Sequence, residues 1–189
     1  VLNLWAGVEN IVSNPTLRVP LARMVDPGLT QGMVEWVTGH VLRHHLGMDI
    51  HIHGQDGRWR AGSAPPLARD RTVAVLGLGV LGTACARMLS ALNFQVRGWS
   101  RSPKSIDGVT TAHGPEGLEA TLGQAEIVVL LLPDTPATEN TLDTRAISLL
   151  PEGAVVINPG RGPLIDDDAL IAALDSGHLA HATLDVFRT

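Results

Sequence analysis

Three glycines, Gly77, Gly79 and Gly82, follow a short apolar run at residues 72–76 in the spacing G-x-G-x-x-G. In a turn from a strand to a helix, the first glycine makes the tight turn, the second lets backbone amides approach a pyrophosphate, and the third lets helix and strand pack closely. The amides that would bind the phosphates are those of Gly79, Val80, Leu81 and Gly82. The motif therefore predicts a dinucleotide site, with a plain strand-to-helix turn as the alternative.

A basic corner follows the next apolar run, which ends at Trp99. Folds that prefer NAD usually place a carboxylate here for the ribose 2′-hydroxyl. The residues in this sequence are instead Ser100, Arg101, Ser102 and Lys104. The arginine fork and the lysine charge suit a 2′-phosphate, and the serines can donate hydrogen bonds. We therefore expect NADP in preference to NAD, with NAD possible; a solvated basic loop is the alternative.

Five of the eight histidines lie close together in the sequence, at His40, His44, His45, His51 and His53. The spacing of His40 and His44 could place two imidazoles on one ion. The cluster contains no Glu or Cys to complete such a site, although Asp49 and Asp56 are available. We favour a solvated or interface helix and expect no bound metal.

Alternating elements are predicted to position these residues. Short apolar runs at 72–76, 95–99, 127–132, 154–158 and 180–186 have the character of buried parallel strands. Helical segments are predicted from residue 81 to 92 and at 115–122, 144–150 and 166–174. The alternation predicts an α/β fold with a doubly wound parallel sheet, a Rossmann NAD(P)-binding domain.

The first part of the chain has a different pattern. Met33, Val37, Val41 and Leu42 share one face of a long helix that begins near Leu29, and residues 62–66 form a Gly/Ser/Pro-rich joint. We predict that residues 1–68 are part of a second, smaller substrate domain with a long interdomain or dimer helix. Residues 69–189 are then the dinucleotide-binding domain, truncated at its C-terminal end.

Composition narrows the class of protein. The chain has 189 residues, of which 44% are hydrophobic and 17% charged, a balance typical of a globular domain. The net charge of −5 and the scattered basic residues lead us to expect no nucleic-acid partner. The longest uncharged stretch, residues 72–86, is shorter than the roughly 20 residues that span a bilayer. A single cysteine, Cys85, and the lack of a basic-then-apolar leader predict a cytoplasmic protein.

Several segments resemble one known family, the D-isomer-specific 2-hydroxyacid dehydrogenases. The resemblance lies in residues 76–82, 131–138, 157–162 continuing to 166–170, and 184–187, together with 5–9 near the start. Residues 4–8 and the corner at 99–102 look most like the glyoxylate/hydroxypyruvate reductase A branch, whose members reduce small 2-oxo acids with NADPH. The resemblance thus implies a reductase of such acids, and it also implies a homodimer formed through the long helix.

The resemblance also implies roles for residues on the substrate side. Arg161 matches the family's catalytic arginine, which pairs with the substrate carboxylate and polarises the carbonyl oxygen; a guanidinium is suited to both tasks. Without the surrounding motif, an arginine between two glycines is more often a surface loop residue. Backbone amides around Ala6, Gly7 and Val8 would bind the carboxylate, and Trp5 would cover the pocket, with core packing as the alternative for Trp5.

On the cofactor side, the resemblance implies a cleft built from loop residues. The residues concerned are Leu132, Pro133, Thr138, Pro159 and Gly160. For the segment around Pro133, plain turn chemistry is the alternative. Asp185 resembles the residue that accepts a hydrogen bond from the nicotinamide carboxamide, and a turn at the end of a strand is its alternative.

The family's proton donor is a histidine well beyond residue 187, assisted by an acidic residue, and His178 and His181 do not match its position. Because ketone reduction needs a proton for the new alkoxide, we expect these residues to be part of a longer enzyme, with a fragment as the alternative. Two further functions remain open: an NAD(P)-binding sensor or corepressor-like module without turnover, and a structural fragment with an empty cleft.

Overall fold

A six-stranded parallel sheet forms the centre of the computed structural model, which describes residues 1–5, 7–59 and 64–188. The strands are β1 Thr72–Leu76, β2 Gln95–Ser100, β3 Thr110–His113, β4 Ile127–Leu130, β5 Ala154–Asn158 and β6 Leu179–Leu184. Their order in the sheet is β3-β2-β1-β4-β5-β6, and every neighbouring pair is parallel. This is the doubly wound order, so the predicted Rossmann fold is confirmed.

Burial explains which strands the sequence revealed. All four residues of β4 and all five of β5 are buried, because helices cover both faces of a parallel sheet, and such strands are continuous apolar runs. The predicted run at 127–132 ends as a strand at Leu130, and the run at 180–186 forms a strand one residue earlier, Leu179–Leu184. The edge strand β3 was missed, since its sequence TTAH is half exposed and not apolar.

Seven α-helices connect or flank the strands in the described ranges. They are α1 Glu9–Val12, α2 Pro27–His45, α3 Met48–His53, α4 Val80–Ala91, α5 Gly114–Leu122, α6 Thr144–Ser148 and α7 Asp167–Asp175. Short 3-10 helices lie at Ala68–Asp70 and Gly162–Leu164. Aspartates cap three of the helices: the side chains of Asp26, Asp143 and Asp166 accept hydrogen bonds from first-turn amides of α2, α6 and α7. The predicted helix at 166–174 therefore starts one residue later, since Asp166 is its cap.

Two apolar cores lie on the two faces of the sheet. One contains Leu130 and Val156 together with side chains of α5, α6 and α7. In the other, Val75 packs with α4 and with Val37 and Val41 of the long helix, both fully buried. The long helix α2 thus packs against the dinucleotide-binding body, although its sequence precedes residue 69. The division at residues 68 and 69 stays a prediction.

Within residues 1–5, 7–59 and 64–188, no helix has both the length and the apolar character that a bilayer crossing requires.

Candidate functional site

The glycine turn between β1 and α4 leaves no room for other residues at two of its positions. Gly77 has φ +107°, and a Cβ on it would lie 2.5 Å from the carbonyl oxygen of Leu131. A Cβ on Gly82 would overlap the carbonyl oxygen of Gly77. The amide of Gly77 also donates to the Trp99 carbonyl at 2.8 Å, which joins the ends of β1 and β2. The turn is therefore held tightly against both neighbouring strands.

Open space lies in front of the second glycine. Gly79 is exposed, and a Cβ on it would meet nothing within 4 Å. As the N-cap of the twelve-residue helix α4, it provides no side chain for the first-turn amides, and no other described side chain caps them. These amides, which include those of Val80 and Leu81, are free to bind an anion. Their predicted contact with a pyrophosphate stays a prediction.

A cleft of about 440 Å³ lies at the carboxyl ends of β1, β4 and β5. Ten of the predicted site residues line it: Val8, Gly79, Val80, Leu81, Gly82, Leu132, Pro133, Pro159, Gly160 and Arg161. The opposite wall was not predicted; it consists of Glu9 and residues of the segment from Arg23 to Met33. No local pattern marks this wall, because only the packing of α2 on α4 brings it to the strand ends.

Arg161 extends from the loop after β5 into this cleft. Its Nε donates to Glu9 Oε1 at 3.1 Å, and its Nη2 lies 3.1 Å from the same oxygen. Its Nη1 donates to the carbonyl of Gly160 at 2.7 Å. The side chains of Arg161 and Glu9 are 37% and 30% exposed. The arginine is therefore held at the wall of the cleft and remains accessible to a ligand.

The backbone that carries Arg161 is fixed from two sides. Asn158, which is buried, donates from Nδ2 to the Arg161 carbonyl at 2.9 Å and accepts at Oδ1 from the Gly160 amide at 3.0 Å. A Cβ on Gly162 would overlap the backbone of Phe187, which lies two residues after Asp185, the predicted nicotinamide contact. Neither glycine nor the asparagine can change without moving the arginine.

The loop after β4 is held in shape by hydrogen bonds within the loop. Thr138 donates from its hydroxyl to the carbonyl of Pro133 at 2.6 Å and accepts from the amide of Thr135 at 2.9 Å. Leu132 and Pro133 line the cleft, whereas Thr138 is not among its lining residues. The hydroxyl of Thr138 therefore shapes the loop, as turn chemistry predicts.

The basic corner divides into a buried and an exposed part. Ser100 is buried, and its hydroxyl donates to the Ser102 carbonyl at 2.7 Å, whereas Arg101 and Lys104 are exposed. Lys104 lines an open groove of about 600 Å³ together with Gly79 and Arg87. Among the described residues, no carboxylate forms an ion pair with these three cations. Arg87 was not predicted, although it lies seven positions after Val80 on the same face of α4.

The N-terminal segment lies close to the arginine. A Cβ on Gly7 would lie 2.5 Å from Arg161 Nη2, so the guanidinium packs against the glycine backbone. Asn3 Nδ2 donates to the carbonyls of Trp5 and Gly7 at 3.0 and 2.8 Å. Trp5 is 76% exposed and does not pack in either core of the described chain, and its predicted role over the pocket stays a prediction. Ala6, also predicted to bind substrate, lies outside the described residues.

Asp185 follows β6, beside the loop of Arg161. Its amide donates to the Asn158 carbonyl at 3.1 Å, and its side chain is exposed. Asp185 is not among the residues that line the cleft. Its predicted contact with the nicotinamide carboxamide stays a prediction.

Two of the clustered histidines are buried, so the expectation of a solvated helix was wrong for these two, and the alternative of an interface helix stays a prediction. His44 is only 4% exposed, and its Nε2 lies 2.7 Å from Thr183 Oγ1. His45 is buried with its ring edge toward Phe94. Burial lowers the pKa of both, that of His44 to about 4. The structure places no three His, Cys, Asp or Glu side chains of the described ranges where they could share a metal ion.

Comparison with known proteins gives consistent matches. Residues 39–189 match the sequence model described as D-isomer specific 2-hydroxyacid dehydrogenase, NAD binding domain. The chain is 42% identical, over 198 aligned positions, to glyoxylate/hydroxypyruvate reductase A of Serratia proteamaculans (strain 568), covering all of this chain and 63% of that protein.

Two crystal structures are similar along the whole chain. One is a D-isomer specific 2-hydroxyacid dehydrogenase from Xanthobacter autotrophicus Py2 in complex with NADPH and MES, with 46% identity and a TM-score of 0.96 over 60% of its length. The other is an NADPH-dependent glyoxylate/hydroxypyruvate reductase from Sinorhizobium meliloti in complex with NADP and sulfate, with 39% identity and a TM-score of 0.94 over 61% of its length. The chain therefore spans less than two thirds of the length of these relatives.

Proposed function

The chain belongs to the D-isomer specific 2-hydroxyacid dehydrogenase family, and we propose that its protein uses NADPH to reduce small 2-oxo acids of the glyoxylate and hydroxypyruvate class to 2-hydroxy acids. The observation that carries the proposal is one cleft with the glycine turn on one wall and Arg161 on another. The names of the Serratia and Sinorhizobium relatives support the substrate class. No structural observation favours a sensor without turnover.

The residues present fit a dinucleotide. Gly77 and Gly82 have no space for a side chain, and the amides at the start of α4 face open space in front of Gly79. These amides would hold the pyrophosphate. Arg101 and Lys104, both exposed and without a carboxylate partner in the described chain, would hold a 2′-phosphate. NADPH bound there would supply the hydride that reduces the substrate carbonyl.

Arg161 would perform the substrate side of the reaction. Its guanidinium can bind the carboxylate of a 2-oxo acid and fix the acid's orientation in the cleft. As the carbonyl oxygen gains negative charge, the fixed positive charge beside it stabilises the transition state. The loop around Asn158 and Gly160 keeps the guanidinium in place, so it does not have to reorganise during the reaction.

We further propose that the protein is a homodimer. Large apolar side chains are exposed from the end of α2 through α3 to the following segment, at Leu46, Met48, Ile50, Ile52 and Trp59. Exposed apolar side chains concentrated in one stretch of the chain favour an interaction site, and a second copy is the occupant that the family resemblance implies. A dimer that dissociates in Ile50→Glu but not in Ile171→Glu, measured by sedimentation, is the expected result. A cytoplasmic location stays a prediction that rests on the single cysteine.

Calorimetric titration with NADPH and NADH tests the function. We expect the wild type to bind NADPH at least about tenfold more tightly than NADH, since one charge-assisted hydrogen bond contributes about 1.5–3 kcal/mol. Arg101→Ala should reduce NADPH affinity to that for NADH. The control is Arg69→Ala, an exposed arginine before β1, which should change nothing. Absence of binding to both cofactors would refute the proposal, and NADPH oxidation with glyoxylate, followed by absorbance, tests turnover.

A further inference from the structure

The contact between Glu9 and Arg161 joins the two walls of the cleft. Glu9 begins the short helix α1, and its Oε1 accepts a hydrogen bond from Nε of the arginine and lies 3.1 Å from Nη2. The pair lies flat against Gly7, where a Cβ would come within 2.8 Å of Glu9 Oε2 and 2.5 Å of Arg161 Nη2. The carboxylate thus approaches the guanidinium along one defined edge.

The hydrogen bonds of Arg161 leave a specific part of the guanidinium free. A guanidinium carries five N–H groups. The Nε group donates to Glu9 Oε1, which also lies 3.1 Å from Nη2, and the Gly160 carbonyl accepts from Nη1. This leaves N–H groups on both Nη1 and Nη2, the two nitrogens that form the outer edge of the guanidinium. This arrangement can donate two hydrogen bonds to two neighbouring oxygens in one plane.

We propose that Glu9 is a positioning residue, which holds Arg161 so that the free Nη1–Nη2 edge is presented to the substrate. A 2-oxo acid has a carboxylate oxygen and a carbonyl oxygen side by side, which matches this edge. The inference deepens the proposed function and rests on it. Glu9 acts through the arginine. For the substrate, the orientation that Glu9 gives to Arg161 matters, and the negative charge of Glu9 does not.

The partial exposure of the pair separates this role from a merely structural one. Ion pairs that are about a third exposed contribute little to stability, because water screens the charges. Removing the Glu9 carboxylate should therefore leave the thermal unfolding temperature nearly unchanged. An effect on the use of the 2-oxo acid without an effect on stability or on NADPH affinity would then report the orientation of Arg161.

Three variants of the protein test the proposal. Glu9→Ala removes the acceptor, whereas Glu9→Gln keeps an oxygen that can accept from Nε and Nη2 but removes the charge. The matched control is Glu152→Gln, an exposed glutamate in the turn before β5. We expect Glu9→Ala to raise KM for glyoxylate and to lower kcat. The value of kcat/KM should fall about 10- to 100-fold, because a contact that stabilises the transition state is weakened. Glu9→Gln should stay within about threefold of the wild type, a smaller loss than one hydrogen bond.

Each contrary outcome overturns a definite part of the reasoning. If Glu9→Ala leaves kcat/KM unchanged while the wild type turns over, Glu9 does not position Arg161. A lower KM in Glu9→Ala would show that the carboxylate competes with the substrate for the guanidinium. Equal losses in Glu9→Gln and Glu9→Ala would show that charge, and not orientation, is the cause.

A binding experiment keeps this inference separate from the proposed function. Oxalate, which presents two adjacent oxygens to one edge, is titrated into the NADPH-saturated protein by calorimetry. If the wild type reduces neither glyoxylate nor hydroxypyruvate, the proposed function fails. The affinity for oxalate then still tests whether Glu9 positions Arg161. A tenfold weaker affinity in Glu9→Ala, restored in Glu9→Gln, supports the positioning role, and equal affinities in all three proteins overturn it.

Discussion

The buried imidazole of His44 should make the stability of the protein depend on pH in a predictable range. Its Nε2 contacts the Thr183 hydroxyl, and its ring stacks on His181 with centroids 5.4 Å apart. Its pKa is lowered from 6.5 to about 4, mainly by burial and in addition by the neighbouring His181. The other charged or titratable groups that face it are Asp49, which acts in the opposite direction, and Arg43 and His40.

The direction of the effect follows from proton linkage. Above pH 6.5, His44 is neutral in both the folded and the unfolded chain, so its contribution to stability is complete. Between pH 6.5 and about 4, the unfolded chain binds a proton that the folded chain does not, and the free energy of unfolding falls. Because one pKa unit corresponds to about 1.4 kcal/mol, the total loss from this group is about 3 kcal/mol.

Urea unfolding of the wild type and His44→Gln at pH 7.5, 5.5 and 4.5 measures this loss. Gln retains a polar group for Thr183 but cannot titrate, so any packing defect is a constant offset. The stability difference between the two proteins should shrink by about 2–3 kcal/mol from pH 7.5 to 4.5. The control is Gln124→Ala at an exposed glutamine after α5, which does not titrate, so its difference from the wild type should stay constant. A constant difference for His44→Gln as well would refute the assignment of a buried neutral imidazole.

Three further predictions concern the glycine turn, the core and the thiol. Gly82→Ala should abolish calorimetric binding of NADPH, because the new methyl group would overlap the Gly77 carbonyl and displace the turn. Leu89→Ala should lower the free energy of unfolding in urea by about 2–5 kcal/mol, since Leu89 is fully buried, whereas the exposed Ile171→Ala should change it by less than about 0.5 kcal/mol. The Cys85 thiol, whose pKa burial raises to about 12, should resist maleimide labelling at pH 8 until urea unfolds the protein.

Contrary results would be informative in each case. Unchanged NADPH binding in Gly82→Ala would mean that the turn can shift away from the β1 strand without losing its amides. Equal effects of the two apolar substitutions would mean that the core on the α4 side is not closely packed. Labelling of Cys85 at the rate of an unfolded chain would mean that α2 opens from α4, because the Cys85 thiol on α4 contacts the Met33 carbonyl of α2 at 3.9 Å.

Sequence patterns predicted well those elements that are determined by residues within the element itself. The strand at Ala154–Asn158 and the helix that Asp166 caps follow from burial on both faces and from a side chain that accepts a neighbouring amide. By contrast, β3 was not predicted, because an edge strand of four partly exposed residues has no apolar pattern that would indicate it. It forms because β2 offers an open edge for pairing.

The sequence by itself determined the glycine turn and the alternation of strands and helices, since these depend on sterics and hydrogen bonds within a few residues. The role expected of Arg161 came from the resemblance of its segment to the family motif, because an arginine between two glycines is by itself more often a surface loop residue. Only the tertiary structure decided that Glu9 meets Arg161 across 152 positions and that His44 meets Thr183 across 139. Such contacts have no local signature, because they form only when parts far apart in the chain are brought together, as when burial of Val37 and Val41 packs α2 onto the sheet. The part of the cleft that faces the glycine turn is therefore a property of the folded chain and not of any one segment.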